Sequence, residues 1–112
     1  MIRITTHVLD TVDGRPAAGM RVRLERCDAA PGGRPVASAA TDADGRVRDW
    51  LPSGIEPGCY RLVFETGAWL RAAGRETIYP EVTVQVDARA GETHYHLPIL
   101  LAPNGYTTYR GS

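Results

Sequence analysis

Alternation with a period of two residues constrains this chain more than any other feature. In "MRVRLER", Met20, Val22 and Leu24 fall on one side and Arg21, Arg23 and Glu25 on the other. Only an extended strand places every second side chain on one face, so one face meets a core and the other meets water. "CYRLVFET" repeats the pattern, with Tyr60, Leu62 and Phe64 opposing Arg61, Val63 and Glu65. In "RITTHVLD", Ile4, Thr6 and Val8 oppose Thr5, His7 and Leu9. "EVTVQVD" and "HYHLPILLA" are further strands, "VASAAT" a weaker one and "YTTYR" a short last one. Between them stand the turn-forming stretches "GRPAAG", "DAAPGGRP", "DADG", "PSGIEPG" and "PNG".

One segment departs from this pattern. "GAWLRAAG" reads as about two helical turns closed by glycines. Roughly seven or eight short strands and one short helix predict an all-β fold, a two-sheet antiparallel β-sandwich. At 112 residues it is expected to form a single domain spanning 1–112.

Charge narrows the partners. Thirteen basic residues balance thirteen acidic ones, giving a formal net charge of zero, which excludes the basic excess of a nucleic-acid binder. "MIRITTHVLD" holds no apolar run suited to a signal peptide or membrane span, so a cytoplasmic chain is expected. In that compartment Cys27 and Cys59 are expected as reduced thiols, with a disulfide the alternative.

The candidate chemistry lies in three histidines, one arginine and the C-terminal tail. In "HYHLPILLA" alternation puts Tyr95, Leu97, Ile99 and Leu101 on the core side, leaving His94 and His96 outside with Pro98 and Leu100. A face that carries imidazoles yet continues into apolar residues suits a cleft or a contact with another subunit. His7 gives the same picture beside Leu9. Read from periodicity alone, each histidine is a surface or hydrogen-bonded structural residue, a metal ligand of an H-x-H pair, or a general acid–base. No carboxylate or cysteine sits at ligand spacing to complete a metal set.

"TDADGR" begins like a calcium loop but lacks the later ligands and the closing glutamate. It reads as a hairpin turn that projects Arg46, either into solvent or as a clamp for an anion or planar polar substrate. The tail "YTTYRGS" is a loose end on local pattern. The turn before it argues instead for pairing almost to Ser112.

These residues carry a resemblance. "THVLDTVDGRPAAGMRVRLER", "TDADGR", "PGCYRLVFETGAWLRAAG", "YPEVTVQV" and "HYHLPILLAPNGYTTYRGS" together resemble the transthyretin-like 5-hydroxyisourate hydrolases of urate breakdown. The terminal "YRGS" with "HYHLPILL" upstream is the specific mark, whereas "THVLDT" is shared more loosely with transthyretin. The resemblance implies a homotetramer, a dimer of dimers, with active sites in the channel between dimers. It implies His7, Arg46, His96 and Ser112 as catalytic residues and Tyr109, Arg110 and Gly111 as substrate-binding. The substrate would be 5-hydroxyisourate, with no cofactor, metal, nucleic acid or membrane involved. Asp42, where the family commonly has asparagine, and Asn104, at a variable turn position, are minor departures. Two other readings stand against the hydrolase: a transthyretin-type carrier of a small aromatic ligand and an Ig-like adhesion module. Polar channel positions oppose the first, and the lack of a signal peptide and disulfide framework opposes the second.

Overall fold

The computed structural model describes residues 1–27 and 31–112. Asp28, Ala29 and Ala30, read above as the start of a Gly/Pro-rich loop, lie outside the described residues. The alternating segments become strands in two sheets. The first sheet is built on β1 (Arg3–Asp10), with β2 (Arg15–Pro16) and β5 (Arg46–Val47) pairing antiparallel to it. β8 (His94–His96) and β9 (Ile99–Ala102) run parallel to β1, and β10 (Gly105–Thr108) closes the edge against β9. The second sheet has the order β4 (Arg34–Ala40), β3 (Arg21–Arg26), β6 (Gly58–Phe64), β7 (Val82–Ala88), and all its pairings are antiparallel.

The predicted core faces hold, although Val63 and Pro98, read onto the outer faces, are buried as well. Ile4 and Val8 of β1 and Ile99 and Leu101 of β9 join Val22, Leu24, Leu62 and Phe64 of the second sheet in one buried cluster. Each such side chain contributes about 1.5–3 kcal/mol through burial. α1 (Thr66–Ala72) follows β6 and buries Leu70, while its Trp69 indole N–H donates to the Ala18 carbonyl at 2.7 Å.

Two details differ from the pattern read in the sequence. "HYHLPILLA" is interrupted at Leu97 and Pro98, although Arg3 faces His94 and Val8 faces Ile99 at the same offset. Proline has no N–H for the ladder, so the strand breaks there without changing register. The β1–β8 and β1–β9 pairs are parallel, so the first sheet is mixed rather than purely antiparallel. Alternation fixes faces but carries no information on strand direction.

One buried charge ties the first sheet to the segment after the helix. Asp10 ends β1 almost fully buried, and both its oxygens accept from the Arg75 guanidinium, at 2.6 and 3.1 Å. The Arg75 hydrogen bond, joined by the Val12 and Asp13 amides, holds the Asp10 carboxyl below its ordinary value despite burial. Its stabilisation is therefore present above the ordinary carboxylate range and is lost as pH falls through the lowered folded value.

The expectation of reduced cysteines is corrected. Cys27 and Cys59 form a disulfide, with Cα atoms 5.5 Å apart. They are the next rung of the β3–β6 ladder beyond Arg26 and Tyr60, and the Cys27 amide donates to the Cys59 carbonyl at 3.0 Å. Directly opposed residues in an antiparallel pair sit at disulfide distance. A separation of 32 residues in sequence says nothing of that register. Closing a loop of this length stabilises by about 3–4 kcal/mol in the chain-entropy account. The double variant Cys27→Ser/Cys59→Ser is expected to lose roughly that much in urea unfolding with an unchanged native fold; an unmoved midpoint would remove the bond from the stability account.

Candidate active site

The site is written into the register of β1. Arg3, Thr5 and His7 alternate onto the face away from the core. Across one edge, Arg3 opposes His94 and Thr5 opposes His96; across the other, His7 opposes Arg46. Opposed residues on neighbouring strands project to the same side, so six polar side chains from three distant stretches gather there. Arg46 is delivered by the predicted hairpin. Asp42 Oδ1 accepts from the amides of Asp44 and Arg46, both at 2.9 Å, and the Asp42 amide donates to the Arg46 carbonyl at 2.9 Å. Gly45 is obligatory in this turn: its φ is +76°, and a Cβ there would lie 2.4 Å from the Val8 carbonyl oxygen.

The tail arrives by a separate device. β10 ends at Thr108, short of the terminus expected to be paired. Gly111 then bridges to His96, its amide donating to the His96 carbonyl at 2.7 Å. A Cβ on Gly111 would lie 2.7 Å from His96 Cδ2, so the tail packs against the imidazole only because residue 111 has no side chain.

These elements enclose a cavity of about 440 Å³. Thr5, Arg46 and His96 form its more buried wall, while Arg3, Arg48, Asp49, His94 and Ser112 are its exposed members. Every one of these side chains is polar. A larger cavity of about 530 Å³ adjoins it through Arg3, Arg48 and Asp49, bounded beyond them by Met1 and the Leu51–Gly54 stretch. It contains no histidine, so the acid–base chemistry belongs to the smaller one.

Within that wall the Thr5 hydroxyl lies 2.8 Å from His96 Nδ1 and 2.7 Å from His94 Nε2. The His94 and His96 rings are tilted, with centroids 6.4 Å apart. Burial lowers the His96 pKa from its ordinary 6.5, reinforced by the positive charge of Arg46 and then by His94 and His7. Burial and the neighbouring positive charge thus both favour the neutral imidazole. Among the described residues no three His, Cys, Asp or Glu side chains converge as a metal-binding set.

Of the residues singled out in sequence, Arg46, His96 and Ser112 meet in the cavity. His7 stands beside Arg46 and acts on the charge of His96, but it lies off the cavity wall of the isolated chain. Arg110 points elsewhere: it pairs with Glu92 at 3.2 Å, donates to the His94 carbonyl at 3.3 Å and lies over the Tyr95 ring at 4.4 Å. Tyr109 is half exposed and also off the wall. Sequence reasoning passed over Thr5, which carries no chemical signature alone; it counted His94 among the candidate histidines, and the resemblance gave that residue no role. Sharing a face with His7 was the available signal for Thr5.

A match to the HIUase/Transthyretin family spans residues 4–111. The chain belongs to this family. A 5-hydroxyisourate hydrolase from Mesorhizobium japonicum is 44% identical, the alignment covering 98% of this chain and 92% of that protein. The solved structure of Klebsiella pneumoniae 5-hydroxyisourate hydrolase superimposes with a TM-score of 0.89 at 39% identity, over the whole of both chains. Sea bream transthyretin in complex with thyroxine gives a TM-score of 0.91 at 30% identity, over 97% of this chain and 94% of that one. The fold is thus common to the hydrolase and transthyretin branches of the family, and the site must separate them.

The contact between Gly111 and His96 makes a structural prediction. Gly111→Ala is expected to lift the tail off the imidazole, so that carboxypeptidase removes the last residues faster while the far-ultraviolet circular dichroism is unchanged. Equal digestion rates would mean that the tail is not seated on His96.

Proposed function

We propose that the chain hydrolyses 5-hydroxyisourate to 2-oxo-4-hydroxy-4-carboxy-5-ureidoimidazoline, with residues 1–112 acting as one hydrolase domain. The observation that carries this reading is the convergence of a half-buried imidazole, a guanidinium and the chain terminus in one cavity lined only by polar and charged residues. Relatives at about 40% identity named as 5-hydroxyisourate hydrolases support it. The carrier reading is weakened by the same cavity. An apolar aromatic ligand would gain little from Arg46, His96 and Thr5, and desolvating them would cost free energy.

In this mechanism His96 is the general base. It removes a proton from water as the water oxygen bonds to the ring carbonyl carbon. The carbonyl electrons move to its oxygen, and Arg46 stabilises the resulting oxyanion. Collapse re-forms the carbonyl and breaks the ring C–N bond, and the leaving nitrogen takes the proton from the His96 imidazolium. The new carboxylic acid releases its remaining proton to solvent, and the product leaves as a carboxylate. His7 positions the water or relays the proton, and Ser112 orients the substrate from the tail. Gly111 lets the tail sit on His96, with Tyr109 contributing only where assembly brings it to the substrate. Arg110 is assigned to anchoring the tail through Glu92 rather than to binding.

A homotetramer, with this polar face turned toward a facing dimer, would close a cavity that the single chain leaves open to solvent. Among the described residues no helix is long and apolar enough to cross a membrane. The cytoplasmic placement expected from sequence is opposed by the Cys27–Cys59 bond, because structural disulfides persist in oxidising compartments.

Arg46→Ala is expected to lower kcat by about 10²–10³-fold without disturbing assembly, and deletion of residues 109–112 to abolish turnover while the fold persists. Normal turnover by either variant would remove that element from the mechanism. A base must be unprotonated, and His96 is lowered, so kcat/KM should hold from neutrality downward and fall only through a pKa below 6.5. An acid limb at or above that value would exclude His96 as the base.

A further inference from the structure

Thr5 is almost fully buried, yet its hydroxyl is shared between two imidazole nitrogens, His96 Nδ1 and His94 Nε2. A hydroxyl owns one proton, so at most one of these contacts can have Thr5 as donor. With neutral rings, and with the hydroxyl proton used in one of the two contacts, two arrangements satisfy both. In one, Thr5 donates to His96 Nδ1 and accepts from His94 Nε2–H, which leaves the only proton of His96 on Nε2. In the other, His96 Nδ1–H donates to Thr5, and Thr5 donates to the bare Nε2 of His94. The second arrangement leaves the His96 Nε2 lone pair free.

We propose that Thr5 is a positioning residue that fixes the tautomer of His96, accepting from its Nδ1–H and donating to His94, so that the Nε2 lone pair is presented for proton abstraction. This rests on the reading of His96 as general base. His94 then has a definite role as the acceptor that takes up the Thr5 proton. Being exposed, it can donate its own Nδ1–H to water. The surroundings favour this arrangement. Arg46 shares the cavity, and a guanidinium there prefers a lone pair on the open edge of the ring to an N–H. His7, Arg46 and His94 are the charged or titratable groups acting on His96. Arg3, Arg48, Asp49 and the Ser112 terminus complete the cavity lining.

The inference also assigns a function to the parallel pairing. Thr5 and His96 are directly opposed in the β1–β8 register, and Arg3 and His94 are opposed one pleat earlier. The hydroxyl consequently reaches both rings without leaving its strand. When His96 takes a proton at Nε2, its Nδ1–H bond to Thr5 is unchanged. The base therefore cycles without rearranging its support, as expected of a preorganised site.

The test uses Thr5→Val, which keeps shape and removes the hydroxyl, and Thr5→Ser, which restores it. Their kcat and KM are measured across pH alongside His96→Ala, and nitrogen-15 NMR reads the histidine tautomers in wild type and Thr5→Val. Wild type should show His96 with its proton on Nδ1. Thr5→Val should shift it toward the Nε2–H form, with kcat lower by about 10–100-fold and KM little changed, and Thr5→Ser should recover most of the loss. Thr5→Val in the His96→Ala background should add nothing further. An inactive His96→Ala with a fully active Thr5→Val, or an Nε2–H tautomer in wild type, would overturn this inference alone. A fully active His96→Ala would instead overturn the general-base reading on which it rests.

Discussion

The hydrogen-bond register of β1 decides where the histidines and Arg46 lie. One edge of the strand holds His94 and His96 opposite Arg3 and Thr5, and the other holds Arg46 opposite His7. A slip of one residue would turn Thr5 and His7 into the core and bring Ile4 and Val8 to the surface. The apolar face therefore enforces the polar one. Ile4 and Val8 are fully buried, so the burial that stabilises the sandwich also keeps the site in register. Thr6, on the core side, adds a polar lock, its hydroxyl donating to the Leu97 carbonyl at 2.7 Å just where Pro98 interrupts the ladder.

The tail obeys a different constraint. It is not a strand by the time it reaches the cavity, and it is held by the Gly111 amide on the His96 carbonyl and by the Arg110 guanidinium on Glu92, the His94 carbonyl and the Tyr95 ring. Exposed ion pairs contribute little on their own. Here the guanidinium also covers an aromatic ring, which adds a cation–π attraction. A short anchored tail can close a cavity at low entropic cost, because only its last residues need ordering.

The sequence made the faces legible and left the partners hidden. Period-two alternation correctly separated Tyr95, Leu97, Ile99 and Leu101 from His94 and His96 and identified Met20, Val22 and Leu24 as core. The "TDADGR" hairpin was legible because Asp and Gly at those offsets have specific turn roles, which the Asp42 carboxylate and Gly45 fulfil. What stayed hidden depended on register between distant segments. The disulfide needs Cys27 to face Cys59, and the site of Arg110 needs Glu92 and Tyr95 beside the tail. Thr5 becomes significant only once His94 and His96 are placed across from it. The resemblance to the hydrolases named Arg46, His96 and Ser112, which meet in the cavity of the single chain, and Arg110, whose side chain in the single chain lies on Glu92 and Tyr95.

The central claim is that this polar cavity hydrolyses 5-hydroxyisourate. It is tested most directly by following the ultraviolet decay of 5-hydroxyisourate, freshly generated from urate by urate oxidase, with and without the folded wild-type protein. The account predicts decay faster than the spontaneous reaction, in proportion to protein concentration. Decay at the spontaneous rate, with the fold and assembly verified in the same sample, would contradict it and leave the cavity as a binding site without chemistry.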